Sequence, residues 1–392
     1  MEKNENIVTN ANKSGYEKRN VPTLRFPNYS GEWRASPMGK VCTFHKGYGI
    51  SKDNLSSEGV PCILYGELYT TYKTANAKHI RSKTKLDPTT LFHSERNDVI
   101  IPCSGETAED IATSVCIPYD DVLLGSDLTV IRSELDGAFL SNQINSVRKF
   151  DIARVAQGKS IVHLHADELK KIIISYPSKE EQQKIACFID KLDDRIECQN
   201  KIISKYETLI KGLCDLLLSN TNTVILPLKS IATINKGQQI NGLALAKTGE
   251  YYYLNGGISP SGYVQEYNTS ENTISISEGG NSCGFVAYNT QKFWSGGHCY
   301  TLKIINTKCR SKFLYFYLKH REKDIMQLRV GSGLPNIQKR SLENFAVALP
   351  SVEKQCYIEH ILECITVKKE IETDLLRQFQ SQKKLLLSKM FI

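Results

Sequence analysis

Pro177-Ser178-Lys179-Glu180-Glu181-Gln182-Gln183-Lys184-Ile185 and Pro350-Ser351-Val352-Glu353-Lys354-Gln355-Cys356-Tyr357-Ile358 are two versions of one segment, 173 residues apart. Extending the comparison back to Asp151 and Asp324 gives nine identities in 35 ungapped positions, among them Gly158/Gly331 and Leu169/Leu342. A second match lies upstream at an offset of 190, where Pro37-Met38-Gly39-Lys40-Val41-Cys42-Thr43-Phe44-His45-Lys46-Gly47 aligns with Pro227-Leu228-Lys229-Ser230-Ile231-Ala232-Thr233-Ile234-Asn235-Lys236-Gly237. The chain is therefore a tandem duplication, and the second copy is 17 residues shorter between these anchors. Each half begins alike, diverges in its middle and ends alike. A common scaffold requires shared ends. Divergent middles fit two different ligands, or drift in surface loops.

The shared ends read as helices. Ser178 is a good N-cap, and Glu181 three residues later completes a capping box. Ser351 caps the second copy, with Glu353 in its first turn. Apolar residues then recur in steps of four and three. The first seam is Ile185, Ile189, Leu192, Ile196, Gln199, Ile203, Tyr206, Ile210, Leu213 and Leu217, with Gln199 as its polar break. The second is Ile358, Leu362, Ile365, Lys369, Glu372, Leu376, Phe379, Lys383, Leu386 and Met390, more polar in its middle. Heptad spacing over nearly five heptads predicts a coiled coil. Each helix would be ~60 Å long at 1.5 Å per residue. Neither can bury its stripe alone, so they pack on each other, or each on another molecule. The first helix should stop near Ser219-Asn220-Thr221-Asn222.

Between the helices the sequence reads as β-rich. Val99-Ile100-Ile101, Leu128 to Ile131, Thr273 to Ile276 and Tyr300 to Ile304 are short β-branched runs bounded by turn residues. Helical stretches are expected over Ser311 to Gln327 and, in the first copy, near Gly137 to Ala156. Glu278-Gly279-Gly280-Asn281-Ser282-Cys283-Gly284 leads into Phe285-Val286-Ala287-Tyr288, a strand pattern. It is therefore a hairpin connection rather than a phosphate loop, which needs a helix N-terminus after it.

The 392 residues suggest two or three domains at roughly 150 residues each. Hydrophobic residues make up 41% and charged residues 23%, which excludes wholesale disorder. No apolar run approaches the ~18–20 residues of a membrane span. The polar first twenty residues lack the apolar segment of a signal peptide, so a cytoplasmic location is expected. The net charge of +8 permits a nucleic-acid partner without demanding one. The twelve cysteines form no C-x-x-C pair, and Cys187, Cys198 and Cys214 read as reduced, half-buried helix residues. His163-x-His165 lacks a third ligand nearby, so no metal site is expected. No G-x-S-x-G, H-E-x-x-H, Walker loop or dinucleotide fingerprint is present, nor the Asn/Asp-Pro-Pro-Tyr/Phe tetrapeptide of base amino-methyltransferases.

Basic, amide and aromatic residues cluster in the divergent middles. In the first copy the DNA-contact candidates are Tyr72, Lys73, Lys78, Arg81, Lys83 and Lys85, with Lys46 at the edge of the shared segment. In the second they are Lys236, Gln238, Gln239, Asn241, Asn281 and Ser282. Lysine and arginine neutralise phosphates, and Asn, Gln and Arg read base edges in the major groove. Solvated loops with core tyrosines would give the same composition.

This layout resembles the specificity subunit of type I restriction-modification systems. Pro22-Thr23-Leu24-Arg25-Phe26-Pro27 followed by Gly31-Glu32-Trp33 looks like the family's N-terminal entry. Both Pro-Ser segments look like the opening of its conserved helices, with Lys354 replacing an acidic residue. Phe293-Trp294-Ser295-Gly296-Gly297-His298-Cys299 resembles a recurrent segment of its domains. The resemblance implies an α+β fold with two similar β-rich target-recognition domains in tandem, each followed by a long helix, the helices pairing as an antiparallel coiled coil. It implies a tail over 1–20, recognition domains over 21–177 and 221–350, and spacer helices over 178–220 and 351–392. It further implies a non-catalytic subunit that reads a bipartite target on double-stranded DNA. Two methyltransferase subunits would bring S-adenosylmethionine, and motor-nuclease (restriction) subunits would use ATP and magnesium; no cofactor or membrane is expected for this chain. A coiled-coil adaptor that does not bind DNA, or an autonomous DNA methyltransferase, would be the alternatives.

Overall fold

The computed structural model describes residues 20–158, 162–219, 223–242, 245–331 and 333–392. Of the expected tail, residues 1–19 lie outside the described residues, as do 220–222 of the expected helix stop. Asn20 is fixed: its Nδ2 donates to the Trp33 carbonyl, 2.6 Å away, and its carbonyl accepts from Trp33 N–H at 2.8 Å. The chain divides into two compact units. One runs up to Cys198 and includes Leu376–Ile392; the other is Gln199–Leu375.

In the first unit, strand Arg34–Pro37 pairs antiparallel with Ile173–Tyr176, just before the helix cap. The β-branched runs then form a four-stranded antiparallel sheet in the order Cys42–Lys46, Leu128–Ser133, Asp98–Pro102, Val115–Ile117. Helices Gly137–Asn145 and Lys149–Val155 contribute Leu140, Ile144 and Ile152 to the core beside this sheet. The Asp136 carboxylate caps the first of them by accepting from Phe139 N–H at 2.9 Å. The divergent middle adds five short strands in the order Leu55–Ser56, Ser82–Thr84, Val60–Ile63, Leu123–Leu124, Phe92–His93.

The second unit repeats the frame. Strand Val224–Pro227 pairs with Ala346–Leu349, and Pro227 faces Ala346 as Pro37 faces Ile173, so the repeat offsets are preserved in the register. Its four-stranded sheet has the same order: Ala232–Lys236, Cys299–Ile304, Thr273–Ser277, Val286–Asn289. Helices Ser311–His320 and Glu322–Gln327 follow. Here, among the described residues, the divergent middle supplies a three-stranded sheet of Gly262–Val264, Tyr251–Leu254 and Phe293–Ser295.

The two long helices are Lys179–Ser219 and Val352–Met390. Within the first unit, Ile185 and Ile189 are buried with Met390 and Phe391, and Leu192, Leu386 and Leu387 pack against them. Lys383 pairs with the Asp193 carboxylate, and the Arg195 guanidinium lies 4.3 Å from the Phe379 ring centre. Within the second unit, Ile210, Leu213, Cys214 and Leu217 share a core with Ile358 and Leu362. The start of each helix thus meets the end of the other, so the pairing is antiparallel and lies within one chain. Gln199 donates from Nε2 to the Glu372 backbone carbonyl at 3.0 Å and also to its carboxylate. The polar break therefore bonds to its own repeat equivalent.

The caps differ from expectation in one half. Ser178 Oγ accepts from Glu181 N–H and Ser351 Oγ from Lys354 N–H, both at 3.4 Å. The Glu181 carboxylate, however, does not close a capping box. It takes a bidentate pair from Arg25, with Nε and Nη2 both at 2.7 Å. A charge-assisted fork is stronger than a single neutral cap bond. Cys187 and Cys198 are exposed rather than half-buried, while Cys214 is buried; all twelve cysteines are free.

A glycine approach recurs in both frames. A Cβ on Gly47 would lie 2.3 Å from the Gly125 carbonyl oxygen, and one on Gly237 2.3 Å from that of Gly296. Gly47 N–H donates to the Leu128 carbonyl and Gly237 N–H to that of Cys299, each at 3.0 Å. Gly47→Ala and Gly237→Ala should each cost roughly 1–3 kcal/mol through this clash, read as a lower thermal midpoint of the purified chain. Unchanged melting of either variant would show that the strand ends can move apart freely.

Candidate nucleic-acid interface

In each unit a buried glutamine fastens the start of the long helix to the sheet domain before it. Gln182 and Gln355 are 2% and 0% exposed, although each lies in the first turn of a helix. Gln182 Nε2 donates to the Pro177 carbonyl at 2.9 Å, and its Oε1 accepts from Asp136 N–H at 2.8 Å. Gln355 Nε2 donates to the carbonyls of Pro350 and Lys308 at 2.9 and 2.8 Å, and its Oε1 accepts from Arg310 N–H at 2.9 Å. The side-chain amide, both donor and acceptor, satisfies backbone groups from two segments at once.

In the second unit, this scaffold brings four loops together. Strand Ala232–Lys236 leads into Gln238, whose N–H donates to the Ser295 carbonyl at 2.8 Å. Trp294 Nε1 donates to the Gln238 carbonyl, also at 2.8 Å. His298 N–H donates to Asn255 Oδ1 at 3.1 Å, and Glu278 N–H donates to the His298 carbonyl at 2.9 Å. The glycine-rich segment after Glu278 connects two antiparallel strands through a short 3-10 turn, Gly280–Ser282, as its composition predicts. Lys236, Gln238, Gln239, Asn241 and Asn281 are exposed, and Ser282 is half-buried on that turn. Lys236 Nζ lies 2.6 Å from Glu278 Oε1, which also accepts from Tyr300 Oη at 2.9 Å. A polar groove of about 510 Å³ beside this cluster is lined by Lys236, Gln238, Asn268, Thr269 and Lys303.

The basic residues of the first unit are more dispersed. Lys46 is exposed at its strand end, the position Lys236 occupies in the second copy. Arg81, Lys83 and Lys85 are exposed on and around strand Ser82–Thr84, and Lys85 pairs with Glu58 at 3.3 Å. Lys73 is exposed, its Nζ donating to the Tyr69 carbonyl at 3.0 Å. Two candidates are corrected. Tyr72 belongs to the core with Ile63, Leu68 and Val122, and burial pushes its phenol up to about 12. Its neighbours are strongly apolar, so the ring packs inward. Lys78 is turned to the spacer helix, 2.9 Å from Asp190 and paired with Asp194. Two carboxylates one helical turn apart hold it there.

His163 ends strand Val162–His163, whereas His165 precedes helix Ala166–Leu169. Among the described residues, no group of three or more His, Cys, Asp or Glu could hold a metal ion, and no helix is long and apolar enough to cross a membrane. Sequence reasoning passed over the roles of Gln182, Gln355 and His298. The glutamines carried a signal, as identities of the repeat with no apolar role. His298 carried none beyond its place in a Gly-Gly-His segment.

A model of the type I restriction modification DNA specificity domain matches residues 30–208 and again 221–380. The chain belongs to that family. It is 35% identical over 156 residues to a putative type I specificity subunit of Mycoplasma pneumoniae, covering 39% of this chain and 41% of the relative. It is 31% identical over 136 residues to one of Mycoplasma genitalium, covering 34% and 35%. The matched stretches thus span less than half the length of these curated relatives. The fold resembles the crystal structure of the type I restriction-modification system S subunit from M. genitalium, with a TM-score of 0.70 at 20% identity over 95% of this chain and 99% of that one. It also resembles a chain from a structure addressing complex assembly and conformational transition of the type I system, with a TM-score of 0.54 at 16% identity over 92% and 97%.

Gln182→Ala and Gln355→Ala each strand buried backbone groups and should cost ~1–3 kcal/mol. The exposed neighbour Gln183→Ala should be near neutral. Thermal melting of the three variants side by side tests this; equal midpoints would remove the glutamines as anchors.

Proposed function

We propose that this chain is the sequence-reading subunit of a type I restriction-modification complex. Each recognition unit reads one half of a bipartite, asymmetric target on double-stranded DNA. The antiparallel helices hold the two readers a fixed distance apart and dock two methyltransferase subunits, which carry S-adenosylmethionine and methylate adenine. Motor-nuclease subunits using ATP and magnesium complete the restriction assembly, and the chain itself performs no chemistry. The observation that carries this reading is a frame built twice with the same strand order and register, enclosing two unlike inserts, in a chain that a DNA specificity family matches twice. Exposed lysines supply phosphate attraction, and the amides of Gln238, Gln239 and Asn281 suit base edges.

The test is to co-express the chain with its methyltransferase subunit and sequence the methylated adenines. A two-part motif is expected. Replacing residues 238–306 with the matching part of another family member should alter one half of that motif only. A change in both halves, or no motif at all from the unmodified chain, would sink the reading.

The helices also serve as the ruler. Adding one heptad to each keeps both stripes in register and lengthens each by about 10.5 Å. DNA rises ~3.4 Å per base pair, so the spacer should grow by up to about three base pairs with unchanged half-sites. A folded, active heptad variant with the original spacer would show that something else sets the distance.

A further inference from the structure

The two units share more than strand order at the ends of their four-stranded sheets. Leu164 N–H donates to the Cys103 carbonyl at 2.9 Å, and Ile337 N–H to the Glu278 carbonyl at 2.8 Å. Cys103 N–H donates to the Asp127 carbonyl at 2.7 Å, as Glu278 N–H does to that of His298 at 2.9 Å. Cys103 Sγ lies 3.1 Å from Thr129 Oγ1, where Glu278 Oε1 meets Tyr300 Oη. Thr129 pairs across the sheet with Lys46, and Tyr300 with Lys236. One backbone arrangement thus presents Lys46, Cys103, Asp127 and Thr129 in the first unit, and Lys236, Glu278, His298 and Tyr300 in the second. Only the lysine is retained. Identical backbone bonds with exchanged side chains are what two readers of different bases require.

Within each set, the Asp127/His298 position is reached by solvent, although the backbone there differs in that only Asp127 has a positive φ. His298 has a side chain 64% exposed, and Asp127 is half-buried in a left-handed turn at φ +60°. The support beneath His298 is specific. Glu278 is 9% exposed, and its Oε1 is taken by Lys236 and Tyr300. Its Oε2 is buried with no hydrogen-bond partner among the described residues, and His298 Nδ1 is 3.6 Å away. A buried carboxylate oxygen left unpaired is costly, and the 3.6 Å approach sets the Nδ1 edge of the His298 ring toward it, leaving Nε2 on the far edge. Among the described residues, the Asp127 carboxylate has no hydrogen-bond or ion-pair partner, and it is an acceptor only.

Resting on the reading that this chain recognises DNA, we propose that His298 and Asp127 are the base-reading residues of equivalent positions in the two half-sites. Asp127 accepts from an exocyclic amine of cytosine or adenine. His298, oriented by Glu278, offers Nε2 to a base edge in the major groove. Glu278 is a positioning residue and touches no base.

The complex with its methyltransferase subunit tests this through the methylated-adenine motif. His298→Ala should lower discrimination at one position of the second half-site by roughly 5- to 100-fold, the worth of one base contact, and leave the first half-site intact. Asp127→Ala should do the converse. The untouched half-site reports folding and assembly in the same molecule. Glu278→Gln should weaken the same position as His298→Ala. An unchanged motif, a change in both halves, or a uniform drop in methylation with the motif retained (a phosphate contact only) would overturn the proposal. If an alanine variant gives no methylation, His298→Gln and Asp127→Asn are judged by the same criteria, and complete loss in these as well also overturns it. Failure of the broader reading is separate, because the unmodified complex would then yield no motif.

Discussion

An apolar stripe along some forty residues of helix cannot be kept dry by the helix that carries it, and everything else in this chain is arranged around that constraint. Lys179–Ser219 and Val352–Met390 each cover the other's stripe. The result is that each compact unit contains part of both helices. Neither half of the duplication is self-sufficient: the core holding Trp33 and Phe139 is completed by Met390 and Phe391, from the far end of the sequence. Near the middle, Gln199 and Glu372 interrupt the stripe by bonding to one another. A polar pair in an apolar seam fixes register at some cost in stability.

The sheet domains are tied to the helices by the same logic with different residues. The buried amides of Gln182 and Gln355 make equivalent backbone bonds in the two units. About two turns along each helix, equivalent acids are engaged by unrelated cations. Asp190 takes Lys78 from the divergent insert, whereas Glu363 takes Lys312 from the shared helix Ser311–His320. The first insert is therefore fastened directly to its spacer helix by a residue that its basic neighbourhood suggested for another purpose.

The frame was legible because its causes are local or repeated. Heptad spacing, β-branched runs and identities at two fixed offsets each carry information within a short window, and Val99-Ile100-Ile101 or Thr273 to Ile276 became strands as read. The inserts were not legible, because their strands are two to four residues long and take partners far away: Leu123–Leu124 lies between Val60–Ile63 and Phe92–His93. No periodicity develops over two residues. Side-chain partners failed for the same reason. Glu181 had a plausible partner three residues away and took Arg25 instead, and Tyr72 sits among basic residues in sequence but among apolar ones in space. In the candidate interface, the exposed loop residues from Lys236 to Asn241 stood out by composition. The support beneath them, Glu278 with Tyr300 and the backbone of His298, arises only once four loops meet.

That separation of frame from projecting side chains has a physical basis. Gly47 and Gly237 let the first strand's end pass within a Cβ's reach of the Gly125 and Gly296 carbonyls, so the backbone there is over-determined in both units. A backbone fixed by glycines and main-chain bonds does not depend on which side chains project from it. Cys103 can stand where Glu278 stands, and Thr129 where Tyr300 stands, without disturbing the carbonyls that Leu164 and Ile337 require. Rigidity at the glycines thus permits variation at the neighbouring positions. A duplicated chain can then diverge in what it contacts while its two halves continue to share one pair of helices.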